Sequence, residues 1–248
     1  MKKRSISSQL IASIMVNAIY AMVNYPIVLV STILAPFSLL IVISFISHGS
    51  LTPVAIGGAL IMTMISSGTS MQQDLSHLKN DFKVQDMIVS SPVRAWVYFL
   101  GMSLSQIVYV IPALIALVIL AAVYIHATAI GYLSIIAVML IMFVFASALG
   151  FVLSTLSSDV VQSWGFSGIV STVMSALPPV YYPITYIPMP FQYLAYLSPA
   201  TYAAEIVQNI TGLTSFSTGT ILIDWTVIIA VTAAMLFIAM KKSKWRED

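Results

Sequence analysis

The chain has 248 residues, 60% of them apolar and 7% charged, with a net charge of +2 and no cysteine. A soluble domain carries about 25% charged residues, so much of this surface has to face lipid, and a disulfide framework or thiolate metal site is excluded. No basic stretch interleaved with aromatics points to nucleic acid as a partner; the partner that the composition implies is membrane lipid.

All ten Lys and Arg fall into three clusters. Lys2, Lys3 and Arg4 form the first, Lys79, Lys83 and Arg94 the second, and Lys241, Lys242, Lys244 and Arg246 the third. Cationic loops stay on the cytoplasmic side, so an even number of crossings should separate each cluster from the next. Residues 5–73 and 95–158 hold no Lys, Arg, Asp or Glu. A charge at mid-bilayer costs roughly 2.5–3.5 kcal/mol, which makes these charge-free stretches the places to look for crossings. The basic start is not read as a signal peptide, because its apolar core is short, Asn17 interrupts it and no small-residue cleavage site follows.

In chain order, Ile6, Leu10, Ile14 and Ala18 recur every four residues beside a stripe of Gln9, Ser13 and Asn17. This predicts an amphipathic helix over residues 5–23, lying in the cytoplasmic interface; a cytoplasmic extension of the first crossing is the alternative. Tyr25-Pro26 turns the chain into the membrane. A crossing needs about 20 apolar residues, and the first two are expected at 25–47 and 54–72, broken by His48-Gly49-Ser50 and Pro53. The loop 73–94 mixes Asp74, Lys79, Asp81, Lys83, Asp86 and Arg94 with apolar residues. Leu75, Leu78, Phe82 and Met87 fit one face of a short helix, which could dock on a soluble partner or pack back on the interfacial helix.

Further crossings are expected at 95–124, 130–155, 161–180 and 220–240. In the fifth, Ser163, Ser167, Ser171 and Ser175 are spaced four apart. Small residues let helices approach closely in lipid, so this stripe fits packing within the chain, a dimer seam or a pathway wall. Gly165-Phe166-Ser167-Gly168 resembles the serine motif of rhomboid-type proteases. A serine nucleophile needs a base within reach, and the three histidines, His48, His77 and His126, are all placed in loops before Ser167, so the protease reading fails. Residues 181–219 crowd prolines among tyrosines. They are expected to form short re-entrant helices in the outer leaflet, with irregular backbone shielded by protein. Ser198-Pro199 reads as a helix cap and first turn. Glu205 on that helix is expected to face water, with an exit-path role as the alternative, and Asp224 is read as an interfacial anchor. Asn209-Ile210-Thr211 is a formal glycosylation sequon.

These elements predict an all-α membrane protein, one transmembrane domain over residues 1–248. It has six transmembrane helices, an N-terminal amphipathic interfacial helix and short re-entrant outer helices before the last span. Both termini and the 73–94 loop are expected in the cytoplasm; the loops near 48–53, 125–130 and 181–219 lack Lys and Arg and face outward. With no ionisable group assigned to the span interiors, an ion gradient is disfavoured as a power source.

Three features resemble the ABC-2 type membrane-domain family of ATP-binding cassette exporters over essentially the whole length. One is the order of elements. Another is Met71-Gln72-Gln73-Asp74 through Ser90-Ser91-Pro92-Val93, similar to the family's loop leading to a Ser-Pro at the third span. The last is Pro188-Met189-Pro190-Phe191-Gln192-Tyr193-Leu194 followed by Leu197-Ser198-Pro199-Ala200-Thr201-Tyr202 and Glu205. Ser198 and Ala200 depart from the usual Asn and Leu, and Gln208 occupies the area where a basic residue often follows the Glu.

The resemblance implies a permease subunit that moves a hydrophobic or amphiphilic cargo (drug, lipid or glycan class) outward across the plasma membrane. A second permease subunit, identical or different, would pair with it. A separate ATPase subunit would dock on the 73–94 loop, which makes Asp74, Leu78, Asp81, Phe82, Asp86 and Met87 the candidate coupling residues. Ser163, Ser167, Ser171 and Ser175 are candidates for the dimer or pathway face, and Tyr202 and Glu205 for the outer segment. The chain has no G-x-x-x-x-G-K-[ST] phosphate loop, so it is expected not to be an enzyme and to bind no cofactor or metal, with ATP and Mg used by the partner. The alternative is an integral membrane interaction or assembly protein without transport activity.

Overall fold

Proline and glycine punctuate the charge-free stretches, and the helices begin and end at them. The structure, a computed structural model, describes residues 5–80, 95–157 and 159–242. Among these the chain is helix and connection, with no strand. Helix α1, Ile6–Asn24, has α-helical turns at both ends and a π-helical turn at Met15–Ile19. Tyr25 leaves helical geometry, and Pro26 opens α2, Pro26–Ile46, where its missing N–H costs nothing. A turn with positive φ at His48 and Gly49 leads to α3, Thr52–Asn80. Helix α4 is Ala95–Tyr124. A short break follows, and the Thr128 side chain accepts from the Gly131 nitrogen to cap α5, Ala129–Leu156. Asp159 caps α6, Val160–Ala176, in the same way through Gln162.

The proline-rich segment then folds as a 3-10 turn at Ile184–Tyr186, a short α7 at Gln192–Ala195 and α8 at Pro199–Ile210. Ser198 caps α8 with its side chain while Pro199 takes the first turn, as the Ser-Pro step predicts. Helix α9, Thr218–Lys242, closes the described chain.

Helix α3 is the axis of the bundle. It packs on α2, α4, α5, α6 and α8, and 83% of its most apolar window is buried inside the protein. Helix α5 covers its longest side, and α9 backs α5 and α8. Helix α1 lies against α4, where a Cβ on Gly101 would come within 2.9 Å of Ser13. The closest approach is between α3 and α5. A Cβ on Gly68 would sit 2.6 Å from Ala146 Cβ and 2.7 Å from the Ser147 nitrogen, and one on Gly150 would sit 3.0 Å from the Gly68 carbonyl oxygen. Each glycine is the notch that receives the other helix's backbone. In lipid, where apolar surface alone gives helices little reason to associate, such contact lets dispersion forces act over many atoms.

Five of the described helices are long and apolar enough to cross a membrane: Ile6–Asn24, Thr52–Ser76, Trp96–Tyr124, Ala129–Leu156 and Thr218–Lys241. The set differs from the expected six. It includes α1, read from sequence as interfacial, and leaves out α6; α2, with 21 residues from Pro26 to Ile46, rises about 32 Å, enough for the crossing expected there. The 17 residues of α6 rise about 26 Å, short of the roughly 30 Å hydrocarbon core. Helix α3 departs from expectation the other way. It continues past residue 72 to Asn80, because residues 73–80 contain no Pro or Gly to stop it, and Asp74 therefore sits on the helix.

Substitution of Gly68 by Val should wedge α3 from α5 and destabilise the bundle by about 1–3 kcal/mol, seen as a lower melting temperature in detergent. Gly165→Ala and Gly168→Ala, inside α6 where a new Cβ meets nothing within 4 Å, should instead raise melting slightly, since alanine is the better helix former by about 0.5–1 kcal/mol.

Candidate functional site: a polar-ended crevice and a buried outer acid cluster

A crevice of about 710 Å³ opens between α1, α2, α3 and α4. One stripe of α3 forms its wall. Met62, Thr63 and Ser66 line it toward the start of that helix, and Ser67, Ser70, Gln73 and Asp74 toward its end. Ala35, Pro36 and Leu39 of α2 and Tyr181 face the first part; Asn17, Tyr25 and Gln106 complete the polar end. The volume lies within the roughly 300–1,000 Å³ of small-molecule sites.

The polar end is cross-linked. Gln106 on α4 donates from Nε2 to Asp74 Oδ2, and Ser70 Oγ donates to Gln106 Oε1 at 2.9 Å. Ser67 Oγ donates to the Gln106 carbonyl oxygen at 3.0 Å. The Asn17 amide, carried on the π-helical turn, donates to the Ser13 carbonyl at 3.0 Å. Thr63 and Thr32 turn their hydroxyls back to the carbonyls of Ala59 and Leu29. The polar side chains are thus held by protein partners while the wall between them stays open.

Of the candidate coupling residues, Asp74 is on α3 at the crevice and Leu78 is in that helix's last turns. Asp81, Phe82, Asp86 and Met87 lie outside the described residues. Of the three readings open for the serine stripe, its first two residues take packing within the chain. Ser163 is fully buried, and Gln72 on α3 donates to its carbonyl oxygen at 2.9 Å. Ser167 Oγ donates back to Gln72 Oε1 at 3.2 Å. Both serines are therefore turned to α3, where a buried amide has to be satisfied; Ser171 and Ser175 continue the spacing along α6.

The proline-rich segment corrects the reading of Glu205 as an acid facing water. Glu205 is 1% exposed and Asp224 2% exposed, so neither is a water-facing acid. Tyr196 donates its hydroxyl to Glu205 Oε1 at 2.8 Å, and Tyr202 donates to the Tyr196 carbonyl at 3.0 Å, with the two rings 5.6 Å apart. Asp224 on α9 is within electrostatic reach of Glu205, and its Oδ2 is buried without a protein hydrogen-bond partner. Burial raises the Glu205 carboxyl above its usual range, against a smaller lowering by the Tyr196 hydrogen bond. Burial first, then the bond to Glu205, raises the Tyr196 hydroxyl.

Gln208, one turn on, holds the proline-rich strip in place. Its Nε2 donates to the carbonyls of Pro179 at 2.9 Å and Tyr182 at 3.0 Å. Gly57 and Gly58 of α3 meet the same region: a Cβ on Gly58 would come 2.5 Å from the Val180 carbonyl, and one on Gly57 2.4 Å from Val207. Sequence reasoning gave no role to Gln72 or Gln106, and none beyond a family departure to Gln208. Gln72 and Gln106 stand in charge-free apolar stretches, and an amide in such a stretch is the signal, since it has to find a partner inside the protein.

A carboxyl whose folded-state pKa is raised binds its proton more tightly in the folded protein. Stability should therefore fall as pH rises from the ordinary Glu value of about 4.5 through the raised one. Glu205→Gln, which keeps an acceptor for Tyr196, should raise the melting temperature at pH 8 and flatten its dependence between pH 5 and 8, measured by thermal unfolding in detergent with Glu205→Ala as the variant that loses the acceptor.

No curated protein matches the sequence. The family model of the ABC-2 type transporter matches residues 8–211, a stretch that runs from the first turn of α1 through α8 and contains both the crevice and Glu205. With that match over most of its length, the chain belongs to the ABC-2 type transporter family, the membrane components of ABC transporters.

Proposed function

We propose that this chain is the permease subunit of an exporter, moving a hydrophobic or amphiphilic substrate outward at the plasma membrane on energy supplied by a separate ATPase subunit. The observation that carries the reading is the crevice: a multi-pass membrane protein of this family keeps a long opening, polar at one end and apolar at the other, beside its most buried helix. Six crossings serve this role, formed by α2, α3, α4, α5, α6 extended by the residues that follow it, and α9. Helix α1 then lies in the inner interface, packed on α4, and both termini are cytoplasmic.

The segment 73–94, which begins in the last turns of α3, docks the ATPase, and ATP and Mg belong to that partner. Helix α3 reaches from this loop to the outer proline-rich strip, so a push at its end reaches α6 through Gln72 and the outer segment through Gly57 and Gly58. A second permease subunit pairs on the side of α6 turned away from α3, where Trp164 and Ile169 are exposed and Gly165 and Gly168 leave open space.

The test is ATP-driven uptake of an amphiphilic dye into inverted membrane vesicles carrying this chain and an ATP-binding cassette ATPase that co-purifies with it. Phe82→Ala, Asp81→Lys and Asp86→Lys should each cut uptake at least tenfold and reduce co-purification of the ATPase. Unchanged uptake and co-purification in all three would overturn docking through this loop. Labelling of Lys79 from outside intact cells would overturn the six-crossing orientation.

A further inference from the structure

We infer that Gln72 is a positioning residue that makes α3 and α6 one moving body, so that without its amide ATP is still consumed but substrate no longer moves. The inference rests on the exporter reading for the movement it serves and goes beyond it in naming the joint that has to stay closed. Three observations carry it.

The first is how α6 is held. It packs on α3 and meets α5 only marginally, although residues 157–159 alone separate it from α5 in sequence. Val161, Trp164 and Ile169 are each more than half exposed. At the far end of α6 the Met174 sulfur accepts from Ser198 Oγ at 3.8 Å, a weak bond. Apolar contact by itself gives a helix in lipid little reason to stay in one place.

The second is the geometry of the joint. Gln72 is fully buried. Its Nε2 donates to the Ser163 carbonyl oxygen at 2.9 Å and to the Ser163 hydroxyl at 3.3 Å. Its Oε1 accepts from the Ser167 hydroxyl at 3.2 Å. Four residues are about one helical turn, so the two ends of one amide hold successive turns of α6. A bond to a single residue would leave α6 free to swivel about it. Bonds of opposite sense to two successive turns fix both its rotation and its depth.

The third is the cost of parting. Turning or sliding α6 against α3 takes both ends of the amide off their partners while the side chain stays out of water. An unmade hydrogen bond at a buried polar group costs its full desolvation. The marginal contact with α5 resists less. A displacement of α3 therefore carries α6 with it, and the relative motion falls between α6 and α5.

The chain contains no cysteine, so thiol labels go only where a cysteine is introduced. Spin labels at Ser66→Cys on α3 and Ile169→Cys on α6, both exposed positions, report the distance between the two helices in nanodiscs. The parent background should give one narrow distance distribution, unchanged when the complex with its co-purified ATPase is trapped with ATP. Gln72→Leu, which keeps the bulk and removes both polar ends, should at least double the width of that distribution without any partner present. In the complex it should cut dye uptake at least tenfold while ATP turnover stays within twofold, a split that general loss of structure does not give. Ser167→Ala removes one bond with little risk to folding and should cut uptake at least twofold with the same split. Gln72→Cys combined with Ser167→Cys should lose uptake and regain at least half of it once a short bifunctional thiol reagent bridges the pair. A parent distance that shifts on ATP trapping, or a bridge that removes the remaining uptake, overturns the inference. So does uptake that is unchanged, or that falls only in step with ATP turnover, in every substituted protein that stays monodisperse. Distances that behave as described in a complex with no ATP-driven uptake sink the exporter reading and leave the α3–α6 joint standing.

Discussion

The bundle depends on backbone contact between α3 and α5 at Gly68 and Gly150. Lipid tails are as apolar as leucine, so two greasy helices in a bilayer gain little by merely hiding from solvent. What they gain is close packing, and packing is closest where neither helix carries a side chain. That notch brings Ala146, Ser147 and Phe143 onto α3 and puts Met142, Ile61 and Ile65 into one continuous core. With α3 fixed on α5, its other faces are left to α2, α4, α6 and α8, and the stripe that none of them fully covers becomes the crevice wall.

Three glutamines then fasten the surrounding elements to this axis or to one another. Gln72 grips α6, Gln106 joins α4 to α3, and Gln208 holds the outer strip to α8. A glutamine amide has two donors and an acceptor, so a single side chain can bridge two chemically different groups on a neighbouring element. Gln72 does this in full, donating to the Ser163 carbonyl while accepting from Ser167. Leaving such an amide unpartnered in an apolar interior costs the desolvation of its polar atoms, so each bond fixes rotation and depth as well as contact. Serine on α6 is suited to this pairing because it adds a hydroxyl at almost no volume.

The amino-acid sequence disclosed the helices better than it disclosed their faces. Apolar runs bounded by Pro26, Thr52, Thr128 and Ser198 are governed by local rules of capping and length, and those rules are visible one residue at a time. The direction of the Ser163 and Ser167 stripe was not visible, because small residues suit any close helix contact and only the position of Gln72 on another helix decides between them. Glu205 was misread for a similar reason. An acid on a short helix near a membrane surface usually meets water, and its burial comes from Tyr196 and α9, which lie on different elements. The crevice was beyond reach altogether, since its four walls come from segments between Asn17 and Val110, with Tyr181 further on. The family pattern carried more, because the order of elements is a property of the whole chain.

Gln208 shows what the departure from the family pattern does. Where a basic residue often follows the Glu, this chain has an amide whose donors are both committed to the carbonyls of Pro179 and Tyr182. A lysine or arginine there would supply a charge beside Glu205; the glutamine supplies none. Glu205 is left with the Tyr196 hydroxyl as its hydrogen-bond donor and with Asp224, another acid, nearby. Burial raises the cost of ionising Glu205, and the Tyr196 hydrogen bond offsets part of it. The outer end is therefore not a neutral anchor. It is a place where an acid is held out of water, and it is tied through Gln208 and Gly58 to the same α3 that lines the crevice at its other end.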